Sequence, residues 1–579
     1  MTQYANYKGA KHPLPSENLT WNMYGAGIEN VGRNQQAETT SIPEPGNNQL
    51  LVRIDAVGMC FSDIKILRQG GKHPKLYNRD LVEEPGRLGH EVSLTVIRVG
   101  EALQEKYHPG QRFAIQPDIY QDGKSTAYGY TIPGGLIQYH LIGPEVLDTD
   151  EGACLLPIDS EISYAGASML EPWGCVLAAY TQRRRLTPKT DGILWIVGQP
   201  DDHRVYQFSE GLDAPETIVV TNVPDSVRKL LKSANAKKII ERNDLSVKDY
   251  SDLSLELTDG QGFDDIILLN PHSADQVSKI SRLIARRGTL NLVGESPLDG
   301  LVDADVGRLH YDYIAFLGNT GPDIGASYSG SRNRCELKSG GSALFIGAGG
   351  PMGQMHVQRA LEMPDGPKVL VATEINDERL TALKDRFLPL AEKNDRRLFV
   401  INPTKSENAL RDLVDELTDH QGMDDVVVTV PSAGLMRESA SLMNTDGMLV
   451  LFAGVPNGTL APLNLSNVYL HNAQFTGTSG LTMDDQAAVL KEAKEGKLSP
   501  GRMVAAIGGM DAVLDAINGV IESQYPGKII IFPQIESLPL IGLDELDKKF
   551  PDVAENLDQG IFWTVASEAA LFEKLWKNE

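Results

Sequence analysis

Three short pieces in the first third of the chain bring together the residue types that hold a catalytic metal. Gly58-Met59-Cys60-Phe61-Ser62-Asp63 ends a strand-like run, Gly89-His90-Glu91 opens another, and Leu170-Glu171-Pro172 opens a helix. A thiolate, an imidazole and a carboxylate would give Zn²⁺ three protein ligands and leave a fourth position for water or substrate, as a catalytic zinc requires. Zinc is a Lewis acid that lowers the pKa of a bound hydroxyl towards neutrality, so an alcohol can become an alkoxide and release hydride. Asp63 is placed to orient His90 from behind, and Ser62 to pass the hydroxyl proton outward. Taken singly, a cysteine after a strand is usually buried filler, and a lone His or a Glu-Pro at a helix start is usually structural. It is the combination, ahead of a nucleotide fold, that reads as a site.

The nucleotide fold is signalled by Ser342-Ala-Leu-Phe-Ile-Gly347-Ala-Gly349-Gly350-Pro-Met352-Gly353. A short apolar strand runs into a glycine turn, with helical character over Gln354–Leu361. Glycines let the backbone approach a pyrophosphate, and the helix N-terminus offers it free N–H groups and a partial positive charge. The spacing departs from G-x-G-x-x-G: Met352 stands where the third glycine is due and Gly353 follows one place late. A second strand, Lys368–Glu374, ends in an acid 374 − 353 = 21 residues past the last glycine. That is where a carboxylate accepts hydrogen bonds from the adenosine ribose. Ile375, Asn376, Asp377 and Glu378 intervene before Arg379, so no arginine directly follows to hold a 2′-phosphate, and NAD(H) is favoured over NADP(H).

At 579 residues the chain exceeds one core, and about three to four domains are expected. Hydrophobic content of 41% and charged content of 23% are those of an ordinary soluble globular protein. A formal net charge of −24 argues against nucleic acid or an anionic membrane as partner. The one compact basic run, Arg183-Arg184-Arg185, reads as a solvated helix end. The N-terminus MTQYANYKGAKHP lacks the apolar core of a signal peptide, and no stretch approaches membrane-spanning length. Four scattered cysteines form no C-x-x-C, which argues against a disulfide framework and points to the cytoplasm.

These motifs sit on two kinds of framework. Short strands with Gly/Pro punctuation (Leu50–Gly58, Glu91–Val99, Gln111–Ile115) predict a β-rich domain, left by a helix from about Ser168 to Arg185. Between about 190 and 480 strands alternate with helices, the mark of a parallel sheet. This region holds a repeat: Glu256–Asp265 and Glu416–Asp425 share E-L-T-D-x-Q-G-x-D-D at an interval of 416 − 256 = 160 residues. A repeat that long means two whole domains of one fold in tandem. The first copy opens with Ile193–Gly198, but Gln199-Pro-Asp-Asp-His203 replaces the glycine turn, and its second strand ends at Asn222 instead of an acid. It therefore reads as structural. The expected division is 1–185 catalytic, 186–338 degenerate nucleotide-type domain, 339–480 NAD-binding domain, 481–533 a return to the catalytic domain, and 534–579 a helical tail.

With G-x-C-x-S-D at Gly58–Asp63, G-H-E at Gly89–Glu91 and Glu-Pro at Glu171, the chain resembles the zinc-dependent medium-chain dehydrogenases/reductases. The Glu-Pro form looks like the polyol dehydrogenase branch and is similar to L-sorbose 1-phosphate reductases. The resemblance implies an α/β chain, with a GroES-like β-rich catalytic domain and tandem Rossmann-like doubly wound domains, and zinc facing the nicotinamide across a cleft. It implies Cys60, His90 and Glu171 as ligands, Glu91 as an alternative or fourth ligand, and Ser62 at the head of a proton relay. Three residues on, many members have His where this chain has Lys65. The usual four-cysteine lobe is absent, which fits a polyol-type member, and one cofactor domain has become two.

The expected activity is NAD-dependent zinc oxidation of a secondary alcohol in a polyol, sugar or sugar phosphate, or reduction of the matching ketone. A simple alcohol or amino alcohol is the alternative substrate, and a nucleotide-sensing scaffold the alternative of another class. Arg68, Lys72, His73, Lys75 and Arg79, between Cys60 and His90, could grip a substrate phosphate or balance Glu83 and Glu84. A homo-oligomer, dimer or tetramer, is expected.

Overall fold

The computed structural model describes residues 2–577 except 11, 160, 182, 183, 200, 233 and 235. Arg183 of the basic run and Pro200 of the replaced turn lie outside the described residues. The chain divides into two units. One is Met1–Ala178 with Gly350–Met355 and Gly480–Glu579, and the other is Ala179–Gly349 with His356–Ser479.

The first unit is built on an eight-stranded sheet. Its centre is Leu50–Gly58, buried along its whole length and paired antiparallel to both Glu91–Val99 and Tyr139–Ile142. The C-terminal segment returns to this sheet, where Lys528–Ile531 pairs antiparallel with the end of Leu50–Gly58, Ile530 opposite Gly58. Val504–Gly508 lies parallel to that returning strand. The last residues also pack here. Glu568 on the helix Val565–Leu575 accepts hydrogen bonds from the backbone N–H groups of Tyr164 and Ala165, at 2.7 and 2.9 Å, at the start of the helix Tyr164–Ser168. A carboxylate there satisfies N–H groups that no helical turn can reach. The single helix expected from Ser168 to Arg185 is instead two, Tyr164–Ser168 and Leu170–Ala178, and it ends seven residues early.

The second unit holds two six-stranded parallel sheets of one topology. In chain order each strand set pairs 3-2-1-4-5-6. The first sheet runs Lys238–Glu241, Thr217–Thr221, Ile193–Val197, Phe263–Leu269, Ile284–Val293, Ala315–Asn319. The second runs Arg397–Ile401, Val369–Thr373, Ser342–Ile346, Met423–Val428, Met443–Leu451, Gln474–Gly477. Strands covered on both faces carry unbroken apolar runs, as Ile266–Leu269 and Val426–Val428 do. The acid pairs of the repeat have a common use. Asp264 and Asp265 bind Lys189 and Arg185, each at 2.7 Å, and Asp424 and Asp425 bind Lys338 and Arg334. Each pair clamps the segment that leads into its sheet. This corrects the reading of the basic run as solvated: Arg185 meets Asp265, and Arg184 Nε donates to Asn333 at 2.8 Å.

The two copies share one apolar core. Val302–Asp305 of the first pairs antiparallel with Leu460–Leu463 of the second, strands that occupy equivalent places in the two copies. Among the described residues, the first copy has no helix between Ile193–Val197 and Thr217–Thr221, where the second has Pro351–Glu362.

Candidate functional site

Gly58 and Glu91 stand opposite each other in the sheet register. A Cβ at residue 58 would come within 2.2 Å of Glu91 Oε2, so glycine there lets the carboxylate lie across the strand end. Two residues on, Cys60 caps the helix Phe61–Gln69, with Asp63 folded back on it. Asp63 Oδ2 accepts the Cys60 N–H at 3.0 Å. Its Oδ1 accepts the Gly89 N–H and faces His90 Nδ1, both at 3.2 Å. One buried carboxylate thus ties the first two motifs together and leaves the other ring nitrogen of His90 for a ligand.

Ligand atoms of Cys60, His90 and Glu91 all lie within 4.8 Å of one another. Burial opposes charging His90, but Asp63 and a hydrogen bond with Cys60 outweigh it and raise its pKa well above the usual value. Burial likewise opposes ionising Asp63, yet His90 and the backbone donors hold its pKa below the ordinary carboxylate range. Glu171, buried on the helix Leu170–Ala178, is pushed up to about 7 by desolvation, with Glu91 adding to the rise and His90 and Lys528 opposing it. Cys175 Sγ lies 3.8 Å from its Oε1.

The donor set suits zinc: thiolate, imidazole and carboxylate are the groups of three-ligand catalytic sites. Glu91 Oε2 is buried with no hydrogen-bond partner, the condition of an atom that a cation would satisfy. Cys60, His90 and Glu91 form the compact group, and Glu171 stands beside it rather than within it. Ser62 lies half-buried in the first turn after Cys60, while Lys65, one turn on, is exposed.

Lys528 and Tyr130 were not foreseen. Lys528, from the returning strand, forms a buried ion pair with Glu91. Its signal was there, since a lysine opening an apolar strand must find a partner if buried. The Tyr130 ring lies 5.6 Å from His90 and 5.6 Å from His73, and Lys75 Nζ sits 5.1 Å from its centre. Lys75 also meets Asp118 at 3.1 Å. Arg79 donates to the Thr131 carbonyl at 3.0 Å and pairs with Glu84 at 3.6 Å, and Lys72 is exposed.

In the second copy, Gly347 has φ +77°, and a Cβ there would meet Val430 at 2.2 Å. A Cβ on Gly349 would fall 2.0 Å from Glu374 Oε2, so the turn and the strand-end acid touch only because residue 349 has no side chain. Glu374 Oε1 accepts the N–H groups of Ile375 and Asn376 at 2.8 and 2.9 Å. Gly350 opens onto free space, and Met352 and Gly353 lie in the first turn of Pro351–Glu362. Proline suits a first helical position, where its missing N–H would be unpaired anyway. In the first copy the corresponding crevice is lined by Gln199, Asp202, His203, Arg204 and Asn222, and Arg204 is tied to Glu295 at 2.7 Å.

Residues 46–147 match the alcohol dehydrogenase GroES-like domain. Mannitol-1-phosphate 5-dehydrogenase of Aliivibrio fischeri is 22% identical over 93% of this chain and 95% of its own length. L-sorbose 1-phosphate reductase of Klebsiella pneumoniae is 22% identical over 86% of each. Among solved structures, 2R,3R-butanediol dehydrogenase from Bacillus subtilis superposes with a TM-score of 0.51 at 16% identity, covering 89% of this chain and 99% of that one. These comparisons bear out the resemblance read from the motifs, the α/β fold, and the reading of the chain as an oxidoreductase of the alcohol and polyol dehydrogenase type. Among the described residues no helix is long and apolar enough to cross a membrane.

Proposed function

We propose that this chain is an NAD-dependent zinc oxidoreductase that moves hydride between the cofactor and a secondary alcohol carbon of a sugar phosphate or polyol phosphate. The observation that carries the reading is the convergence of Cys60, His90 and Glu91 within 4.8 Å, with an unpaired Glu91 oxygen among them. A zinc ion held there would supply Lewis-acid chemistry, making a bound hydroxyl acidic near neutral pH. Cys60 and His90 hold it from the first two motifs, and Glu91 or Glu171 completes the set. Asp63 fixes the His90 ring, and Lys528 pairs with Glu91 in the buried interior. Ser62 Oγ would accept the hydroxyl proton while passing its own proton on to water.

Gly347, Gly349, Gly350, Met352 and Gly353 receive the pyrophosphate, and Glu374 the adenosine ribose. That carboxylate would repel a 2′-phosphate, which supports NAD over NADP. The cation-bearing loop supports a phosphorylated substrate, with Lys75 the member nearest His90 through Tyr130. The cytoplasm is the expected compartment, supported by the acidic composition and four free cysteines. Steady-state assays with NAD⁺ and NADP⁺ against polyols and their phosphates, beside metal analysis of the purified chain, test the whole reading. Turnover of simple alcohols alone would replace the substrate class.

A further inference from the structure

The two copies meet by matched contacts. His310 of the first lies against Gly477 of the second, where an added Cβ would fall 3.0 Å from the His310 Cα. Tyr469 of the second lies against Gly318 of the first, where an added Cβ would fall 2.7 Å from the Tyr469 Cβ. The intervals agree, 477 − 318 = 159 and 469 − 310 = 159, so the copies face each other about a local twofold axis, like two subunits of a dimer fused into one chain.

The matched contacts do not serve the copies alike. In the first copy, Tyr469 is fully buried and its hydroxyl donates to the Ser296 carbonyl at 2.6 Å, beside a sheet without the glycine turn. In the second, His310 Nδ1 donates to the carbonyl of Leu451 at 3.2 Å, at the end of Met443–Leu451. Gly454, in the following loop, is so close that a Cβ would lie 2.4 Å from the Tyr311 hydroxyl and 2.8 Å from His310 Nε2. The Tyr313 hydroxyl lies 3.1 Å from Ser479 Oγ, just past Gln474–Gly477. Ligands of such sheets bind outside the carboxyl ends of the strands. One half of a dinucleotide lies over each mononucleotide half of the fold. Glu374 and the glycine turn belong to the adenosine half, so the ends of Met443–Leu451 and Gln474–Gly477 belong to the nicotinamide half.

We propose that the first copy completes the second copy's cofactor site: His310 and Tyr311 position the 452–455 loop and wall the nicotinamide end. Tyr311, 42% exposed at that edge, is free to meet a bound ligand. This rests on the cofactor reading above, and explains why a copy without a phosphate cradle is retained as a whole domain.

Calorimetric titration of the full-length chain with NADH and with ADP-ribose tests it, because only NADH carries the nicotinamide half. His310→Ala and Tyr311→Ala should each weaken NADH by about five- to tenfold, the worth of one lost hydrogen bond or ring contact, and leave ADP-ribose unchanged. Tyr469→Phe removes the hydrogen bond to the Ser296 carbonyl beside the first copy's sheet and should lower the melting temperature without moving either affinity. Wild-type NADH affinity in both His310→Ala and Tyr311→Ala overturns the proposal. So does an equal loss of both ligands, which marks a merely structural role. Should His310→Ala fail to fold, exposed Tyr311 decides. A wild type that binds neither ligand overturns the cofactor reading, and this inference with it.

Discussion

Lys528 and Glu91 stand 437 residues apart in the chain and form a buried ion pair at the centre of the candidate metal group. The pair joins the returning strand Lys528–Ile531 to the second motif, so one ion pair ties the C-terminal segment to the site. Burial opposes protonating Lys528, but Cys60, Glu91 and Glu171 together raise its pKa above the ordinary value. Removing one member of such a pair strands the other charge in a dry interior, at about 3–5 kcal/mol. Lys528→Met should therefore unfold at clearly lower denaturant. Adding Glu91→Gln should recover part of the loss, since no charge is then left alone. Two losses that simply add in chemical denaturation would show that the two residues do not interact.

Cys60→Ser should release zinc and abolish turnover while the far-ultraviolet circular dichroism stays that of the wild type, because Cys60 Sγ lies at a helix cap and not in the core. Glu91→Gln and Glu171→Gln, compared by metal content, should show which carboxylate completes the set. Active protein without zinc sinks the metal reading.

Gly349→Val should abolish NADH binding. Its branched side chain would displace Glu374, whose Oε2 would lie 2.0 Å from the first added carbon. Glu374→Ala should weaken NADH and bring NADPH closer to it, since the carboxylate that repels a 2′-phosphate is gone. Two dinucleotides per chain in the same titration would contradict the assignment of the cradle to the second copy.

What the sequence made legible was what depends on local pattern. Leu50–Gly58 is one unbroken buried run closed by glycine, and its expected limits match those of the strand. The E-L-T-D repeat announced two sheets of one topology because equal segments at equal spacing must fold alike. Cys60 and His90 could be named from their types, with Glu171 as the expected carboxylate and Glu91 as its alternative. The failures come from partners distant in the chain. The basic run read as a solvated helix end, yet Arg185 has Asp265 eighty residues on, |i−j| = 80, and that contact belongs to the sheet rather than to a helix. Lys528 had no readable partner for the same reason. The matched contacts of His310 and Tyr469 follow from how two copies pack, which periodicity does not encode.

Acid should destabilise the chain through imidazoles whose pKa burial lowers, His356 and His12 among them. His356 is fully buried, 2.7 Å from the Tyr180 hydroxyl, and burial lowers its pKa to about 3. A histidine whose folded pKa lies below its unfolded value of about 6.5 takes up a proton only on unfolding, so stability is retained above that value and falls as pH drops towards 3. Between those limits the expected slope is about 1.4 kcal/mol per pH unit for this one group. His12, lowered to about 4 by burial, adds to it in the upper part of the window. Urea melts from pH 7 to pH 4.5 should show the decline. His356→Gln should flatten it by one proton's worth, and an unchanged slope in that variant would remove the assignment.

The proposed grip on a substrate phosphate lies in the loop between the first two motifs. Lys75 has two neighbours there, Asp118 at 3.1 Å and the Tyr130 ring, and Tyr130 in turn lies against His90. Burial opposes charging Lys75, yet Asp118 and Tyr130 raise its pKa, so it stays an ammonium group beside the Tyr130 ring that lies against His90. Arg79 is already committed to Thr131 and Glu84, and Lys72 is exposed, so Lys75 and half-buried His73 are the groups placed to reach a phosphate. Lys75→Ala should cut kcat/KM for a polyol phosphate or ketose phosphate by about 1.5–3 kcal/mol, roughly ten- to 150-fold, and spare the unphosphorylated parent. Lys72→Ala should change neither. If the wild type turns over phosphorylated and parent substrates equally, and Lys75→Ala slows both alike, then Lys75 serves to hold Tyr130 and Asp118 in place. The substrate is then a neutral polyol.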